Sequence, residues 1–167
     1  MVTERYLKLL RSFSQMNEPI DLCSLDTRVI LQKKIYFLQE FGCKLGYNFG
    51  WYIKGPYSTD LTSDAYQVKG LESVLGHADF GISLDDVQEP AEKLKSFLTD
   101  IRQLITEEKA EDYWLELAGS LHFLKFKTSA TTREKAFEKL ECDKPGKFSD
   151  KDKETMWPKV ENLTVNN

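Results

Sequence analysis

Residues 50–61 read GWYIKGPYSTDL, and this stretch decides how the chain folds on either side of it. Its first half alternates weakly and is rich in aromatic residues, which is typical of a β-strand. The strand is predicted to end at Gly55-Pro56, because proline holds the preceding residue extended and has no N–H for a ladder. Ser58 or Thr59 can then cap a helix. The stretch therefore predicts a strand, a turn and the start of a helix.

Alternation along this strand separates its side chains into two faces. Trp51 and Ile53 share one face, which we expect to be buried, while Tyr52 and Lys54 share the other, which we expect to be exposed. The exposed part of the turn is the predicted partner-binding surface. Its candidate residues are Tyr52, Lys54, Tyr57 and Ser58.

Two helices are predicted upstream of the strand. The first covers residues 3–16, where apolar residues recur at helical spacing. The second begins after a cap at Ser24 or Asp26 and runs to about Phe41. Its apolar positions form two stripes, so we expect a central helix that contacts neighbours on two sides. The positions left for solvent are Gln32, Lys33, Lys34 and Glu40.

Downstream the chain has one irregular region and four helix signals. Residues 70–88 contain three glycines and no sustained period, which predicts a loop or a short strand. The helices are signalled by periodicity or by caps: 89–109, 111–126, a helix from the capping box Thr131-x-x-Glu134, and a helix from Ser149 to about Trp157.

These signals together predict a mainly α protein. We expect a compact bundle of about seven helices with a small β-hairpin or short strands near residues 47–54. The length of 167 residues fits a single domain. Within it, residues 1–128 would supply the core helices and the small sheet, and residues 131–163 a C-terminal helical hairpin.

Composition and charge narrow the class of protein. Hydrophobic residues make up 41% of the chain, enough for a packed core without a metal or a disulfide. The net charge of −4 argues against a general phosphate-coating protein, since nucleic-acid affinity rests on lysine and arginine. Residues 60–112 carry 13 acidic and 5 basic side chains, a balance of −8. We interpret this region as a solvated helical face, with an electrostatic docking surface as the alternative.

Cysteine usage and the N-terminus indicate the compartment. Cys23, Cys43 and Cys142 are odd in number and include no CxxC pair, so we expect reduced thiols rather than a zinc site or a redox motif. The first residues lack the apolar core of a signal peptide, and no apolar run reaches transmembrane length. The sequence therefore predicts a cytoplasmic protein with no membrane span.

No catalytic constellation is evident. His77 and His122 lie in different elements without a carboxylate or a thiol at ligand spacing, and the HExxH, GxSxG and P-loop patterns are absent. We expect His122 to be a packed or half-exposed structural residue and His77 to face solvent. The sequence predicts no catalytic residue, no metal site and no cofactor, and an enzyme ranks third among the functions considered.

The C-terminal helices invite comparison with a DNA-binding helix–turn–helix. Their candidate phosphate contacts are Lys135, Lys139, Lys144, Lys147 and Lys151. The connection from about Cys142 to Phe148 exceeds the 3–4-residue turn of such motifs. The second helix also lacks arginine and asparagine, the residues best suited to reading bases. A helical hairpin packed by its apolar residues is therefore the leading interpretation, and nucleic-acid binding is the alternative.

The stretch LQKKIYFLQEFGCKLGYNFGWYIKGPYSTDL resembles YwgA-like bacterial and archaeal proteins of uncharacterised function. These proteins carry a helix of the type LQKLxYLLQ, then aromatics, then a YxxGPYSxxL turn into a helix. The matching positions are Leu31, Gln32, Lys33, Tyr36, Leu38, Gln39, Tyr52, Gly55, Pro56, Tyr57, Ser58 and Leu61. The likeness spans most of residues 26–155. Over residues 29–61 the chain is also similar to the Panacea domain.

The resemblance to Panacea implies an antitoxin or adaptor role, in which a small helical protein binds a toxin or another partner and does no chemistry. Our leading hypothesis is a cytosolic, non-enzymatic regulatory or interaction protein, antitoxin-like or defence-associated. It would bind a protein partner through the exposed turn and the acidic region 60–112. A DNA-binding regulator is the runner-up, and the sequence leaves homo-oligomerisation open.

Overall fold

The computed structural model describes residues 4–75 and 85–163, which form seven helices and one two-stranded antiparallel hairpin. The mainly α fold with a small hairpin is therefore confirmed. In chain order the elements are α1 (Glu4–Met16), α2 (Leu25–Glu40), β1 (Gly50–Tyr52), β2 (Gly55–Tyr57), α3 (Thr59–Leu75), α4 (Asp85–Arg102), α5 (Glu111–Lys127), α6 (Arg133–Asp143) and α7 (Asp150–Val160).

Helix α2 lies at the centre and packs against α4, α5 and β2. It begins at a capping box in which the Ser24 hydroxyl accepts from the Thr27 N–H and Thr27 accepts from the Ser24 N–H. Neighbours cover it on all sides: every residue from Leu31 to Leu38 is buried. The expectation of a central helix is confirmed.

The four positions of α2 that were expected to face solvent are instead buried, so that prediction was wrong. The reason is that each side chain has a polar partner. The Gln32 amide donates to the Ser58 carbonyl and accepts from the Ser58 N–H, and Lys33 donates to the Pro56 carbonyl. Lys34 forms an ion pair with Glu18, and Glu40 forms one with Lys127. A buried polar group that is hydrogen-bonded costs little free energy, and one that is unpaired costs several kcal/mol, about 2–7.

The hairpin differs from its prediction in two respects, the position where the second strand begins and the burial of Ile53. Trp51 pairs with Pro56, so the chain does not leave the sheet at Gly55-Pro56 but forms the second strand there. Ile53 is 86% exposed rather than buried, because it lies in the two-residue turn, where strand alternation no longer applies. Tyr52 is half exposed, as expected. Gly55 has a φ of +89°, a value that glycine adopts without strain.

Several helix boundaries also differ. Helix α3 continues to Leu75 and α4 begins at Asp85, so the ends of the stretch 70–88 are helical rather than irregular. The expectation for His77 lies outside the described residues. Helix α4 ends at Arg102 instead of about Lys109, and residues 106–109 form a turn in which the Thr106 N–H donates to the Lys109 carbonyl at 3.0 Å.

The C-terminal helices α6 and α7 each pack on α5. Helix α6 is capped by Thr132, one residue after the predicted cap, and α7 is capped by Ser149 as predicted. Helix α7 passes through Pro158 to Val160. The buried apolar residues of both helices join one hydrophobic cluster with those of α1 to α5.

Two further observations concern the apolar character of the helices and the state of the cysteines. None of the helices in residues 4–75 and 85–163 combines the length and the apolar character that a bilayer crossing requires. All three cysteines are free thiols, and Cys43 is the buried one. Burial raises the pKa of the Cys43 thiol to about 11, so this thiol is protonated at neutral pH.

Candidate functional site

An open cleft of about 730 Å³ lies between the hairpin on one side and α6 with the α6–α7 connection on the other. It is lined by Trp51, Tyr52, Ile53, Lys139, Asp143, Lys144, Pro145 and Lys147. The cleft thus brings together residues from two candidate sets that are about 90 positions apart in the sequence. Tyr52 comes from the partner-binding set, and three lysines come from the nucleic-acid set.

Trp51 and Asp143 join the two walls of the cleft. The Trp51 ring stacks on Phe123 of α5, with 5.8 Å between the ring centroids. Its indole N–H donates to the Asp143 carboxylate at 2.9 Å, and the Lys139 ammonium donates to the other carboxylate oxygen at 3.2 Å. Asp143 therefore links the hairpin to helix α6.

A buried ion pair lies beneath the cleft. Glu116 of α5 is 2% exposed, and its carboxylate is 3.1 Å from the Lys144 ammonium and 2.7 Å from that of Lys147. Lys144 also donates to the Ile53 carbonyl at 2.6 Å and lies over the Trp51 ring. Burial lowers the pKa of Lys144, and the neighbouring Glu116 opposes that effect. Lys144 therefore ties the hairpin turn to the protein interior.

A second lysine, Lys33, supports the other strand of the hairpin. Its ammonium donates to the Pro56 carbonyl at 2.7 Å, and the side chain is 1% exposed. Burial lowers the pKa of Lys33 to about 7, although Glu116 raises it in part. Ser120, nearby on α5, has a buried hydroxyl with no hydrogen-bond partner among the residues that the structure describes. The underside of the hairpin is thus a polar layer inside an otherwise apolar core.

The low pKa of Lys33 makes stability depend on pH. Between pH 7 and the ordinary lysine pKa of about 10.4, the unfolded chain holds a proton on Lys33 that the folded chain has lost. Stability contributed by this group therefore rises with pH across that window, by about 1 kcal/mol per pH unit. We expect the unfolding free energy of the wild type, minus that of Lys33→Met, to rise between pH 7 and pH 10 in urea titrations. Parallel curves for the two proteins would contradict the burial of a titrating lysine.

The remaining residues of the partner-binding set have different surroundings. Lys54 and Tyr57 are half-buried, and the Tyr57 ring contacts that of Tyr52 with 5.2 Å between centroids. Ser58 is 1% exposed, so its prediction as a contact residue is corrected: its hydroxyl caps α3 by accepting from the Leu61 N–H. The surface at the hairpin is therefore smaller than predicted and is centred on its turn.

The five lysines that were predicted as phosphate contacts also lie in different surroundings. Lys139 is exposed and Lys147 is half-buried at the cleft, whereas Lys144 is buried and bonded to Glu116, so its prediction as a phosphate contact is corrected. Lys135 and Lys151 are exposed on α6 and α7 and lie outside the lining of the cleft. The cleft therefore gathers three of these five lysines, and one of the three is buried.

His122 is a packed core residue, as the sequence predicted. It is fully buried, and its Nδ1 is 2.7 Å from the Tyr36 hydroxyl. Burial lowers the pKa of His122 to about 3, so the ring is neutral at physiological pH. In the described part of the chain, no group of three or more histidine, cysteine, aspartate or glutamate residues is arranged to hold a metal ion.

Sequence reasoning missed the central members of this site, Glu116 and Lys33. One signal for Glu116 was present: it is the single acid within the apolar run WLELAGSLHFL. An ionisable residue in such a run has to be paired when it is buried. Nothing local to the sequence identifies its partners, because Lys144 is 28 residues away.

Comparison of the chain with protein-family models, curated proteins and solved structures finds no match. The resemblance to YwgA-like proteins and to the Panacea domain therefore stays a prediction.

Proposed function

We propose that this chain is a non-enzymatic regulatory protein, antitoxin-like or defence-associated, that binds a protein partner at the cleft. The observation that carries the proposal is the hairpin turn, where Ile53 is 86% exposed and Tyr52 is 50% exposed beside Trp51. Large apolar and aromatic side chains that project beside a concave surface are the usual anchors of protein interfaces.

Rigid support of the turn favours binding over mobility. Lys144 donates a hydrogen bond to the Ile53 carbonyl, and Lys33 donates one to the Pro56 carbonyl. These two buried lysines therefore restrain the backbone in the turn and in the strand that follows it. A fixed binding element loses little conformational entropy when its partner arrives, which leaves more of the contact energy as affinity. This buried support distinguishes the turn from an ordinary exposed loop.

The cytoplasm is the compartment that we propose for this binding. Three free cysteines fit a reducing environment, where disulfides are rare. In such a compartment the partner would be another cytosolic protein, of the toxin or adaptor-target kind that the family resemblance implies.

Quantitative affinity capture from the native host tests the proposal. We expect a captured protein to be depleted at least about tenfold by Ile53→Ser or Tyr52→Ala, because each change removes a central apolar contact worth 1.4 kcal/mol or more. Val74→Ser is the matched control, since Val74 is 77% exposed on α3, away from the cleft lining. Capture that is equal in all three variants would refute binding at the turn.

Nucleic-acid binding is a second candidate, favoured by the lysines that meet Trp51 in the cleft. Basic side chains beside an aromatic ring suit a single strand, whose bases can stack. Gel shifts with duplex and single-stranded oligonucleotides at low and moderate salt distinguish this function. A shift that weakens steeply with salt and is lost in Lys139→Ala/Lys147→Ala would support it, and no shift at low salt would exclude it.

A further inference from the structure

We propose that the cleft takes an acidic segment of a protein chain that also carries an apolar anchor residue. This inference rests on the proposed function and specifies the chemistry of the partner. It is carried by an excess of positive charge on one wall of the cleft and an apolar surface on the other.

The charge excess follows from counting the ion-pair partners. The cleft wall supplies Lys139, Lys144 and Lys147, and within residues 4–75 and 85–163 two carboxylates compensate them. Asp143 is shared between Lys139 and the Trp51 indole, and Glu116 is shared between the other two lysines. The cleft is therefore electropositive on a protein whose net charge is −4. An incoming carboxylate can reach Lys139 and Lys147, since their side chains are 53% and 31% exposed.

The opposite wall is apolar. Tyr52, Ile53 and Trp51 line the cleft from the hairpin, whereas the lysines come from α6 and the α6–α7 connection, to which Pro145 adds one apolar side chain. An apolar side chain of the partner would pack on this wall while its neighbouring carboxylates meet the ammonium groups. Charge complementarity thus selects a segment in which acidic and apolar residues alternate.

The surroundings favour an acidic peptide over a nucleic-acid strand. Two other basic side chains of the C-terminal helices are engaged by acids, Arg133 with Glu154 at 3.0 Å and Lys153 with Glu141 at 3.4 Å, whereas Lys135 and Lys151 are exposed outside the cleft lining. A nucleic-acid strand needs a continuous row of cations for its phosphates. Within the cleft only Lys139 and Lys147 of the three lining lysines are accessible, which fits a few carboxylates better than a backbone of phosphates.

A labelled peptide that alternates glutamate with leucine and phenylalanine is the probe for this proposal. Fluorescence anisotropy should show binding that weakens as salt rises, and the matched peptide with glutamine for glutamate should bind at least about fivefold more weakly. We expect Lys139→Gln/Lys147→Gln to lower affinity about five- to tenfold. Lys93→Gln/Lys95→Gln is the matched control, because it makes the same charge change on α4.

Lys139→Gln alone tests the charge effect in a variant that is expected to fold normally. Its side chain is exposed and makes no contact with Glu116, so the variant should melt like the wild type and still bind the acidic peptide more weakly. Circular dichroism melting curves of every variant accompany the binding data.

The outcomes separate this inference from the proposed function. If capture of the native partner depends on Ile53 but the acidic peptide binds wild type and Lys139→Gln/Lys147→Gln equally, the charge inference is overturned and the proposed function stands. Tighter binding of a single-stranded oligonucleotide than of the peptide at the same salt would also overturn it. A concentration-dependent dimer that the peptide does not dissociate would mean that a second copy of the chain fills the cleft. That result would also overturn the inference of an acidic segment.

Discussion

Replacing Glu116 by glutamine is expected to lower the free energy of unfolding by about 3–5 kcal/mol. The glutamine keeps the shape of the side chain but removes the charge that compensates Lys144, which is 7% exposed. An uncompensated ammonium in the interior is costly, so the variant should recover stability as the pH rises and Lys144 loses its proton more easily. Urea unfolding at pH 7 and pH 9 measures both effects.

Two variants make the Glu116 experiment specific. Glu40→Gln is the matched control, because Glu40 is also buried but pairs with Lys127, whose side chain is 36% exposed and stays hydrated. Its loss should be below about 1 kcal/mol. Glu116→Gln/Lys144→Met should recover much of the loss, since it removes the orphaned charge. A loss at Glu116 no larger than that at Glu40 would show that charge compensation does not hold the hairpin in place.

Gly55→Ala is expected to destabilise the protein by about 2–4 kcal/mol, through two separate effects. At a φ of +89° an added Cβ strains the backbone by about 1–2 kcal/mol. That Cβ would also lie 2.7 Å from the Ser120 hydroxyl oxygen, and relieving such an overlap costs about 1–3 kcal/mol. The hairpin would have to lift from α5, so partner binding should weaken together with the melting temperature.

Gly46→Ala isolates the backbone part of the Gly55 effect. Gly46 has a similar φ of +82°, and an added Cβ would meet no atom within 4 Å. It should cost only about 1–2 kcal/mol. Gly55→Ala/Ser120→Ala should recover the steric part, and Ser120→Ala alone should be neutral or slightly stabilising, because the hydroxyl has no partner. Equal losses at Gly46 and Gly55 would mean that the hairpin is not packed closely on Ser120.

The helices were predictable from sequence because their signals are local. Periodicity located α1, α2 and α5, and the cap at Ser149 located the start of α7. The hairpin turn was predicted at the wrong position because it depends on pairing between two strands and not on local sequence. Ile53 has strand-like chemistry, but it is exposed because the pairing of Trp51 with Pro56 puts the turn at that position. Register is set by both strands together, and one strand read alone does not contain it.

The site was less predictable than the fold. Lysines are usually on the surface, so Lys33 and Lys144 were assigned to solvent or to phosphates. Each can be buried because it donates a hydrogen bond to a carbonyl oxygen of the hairpin, at a sequence separation of 23 residues for Lys33 and 91 for Lys144. Tyr52 could be placed correctly, since it needs only strand alternation. The buried groups needed the tertiary structure.

The bond between Lys144 and the Ile53 carbonyl also has a consequence for synthesis on the ribosome. The two residues are 91 positions apart, so at about 5–20 residues per second the turn is made about 5–20 seconds before Lys144. A nascent chain in that interval carries the exposed aromatic and apolar side chains without their buried support. The surface is complete only after the polypeptide has been translated past Lys147. Prematurely terminated products would therefore lack the complete surface at which we propose that a partner binds.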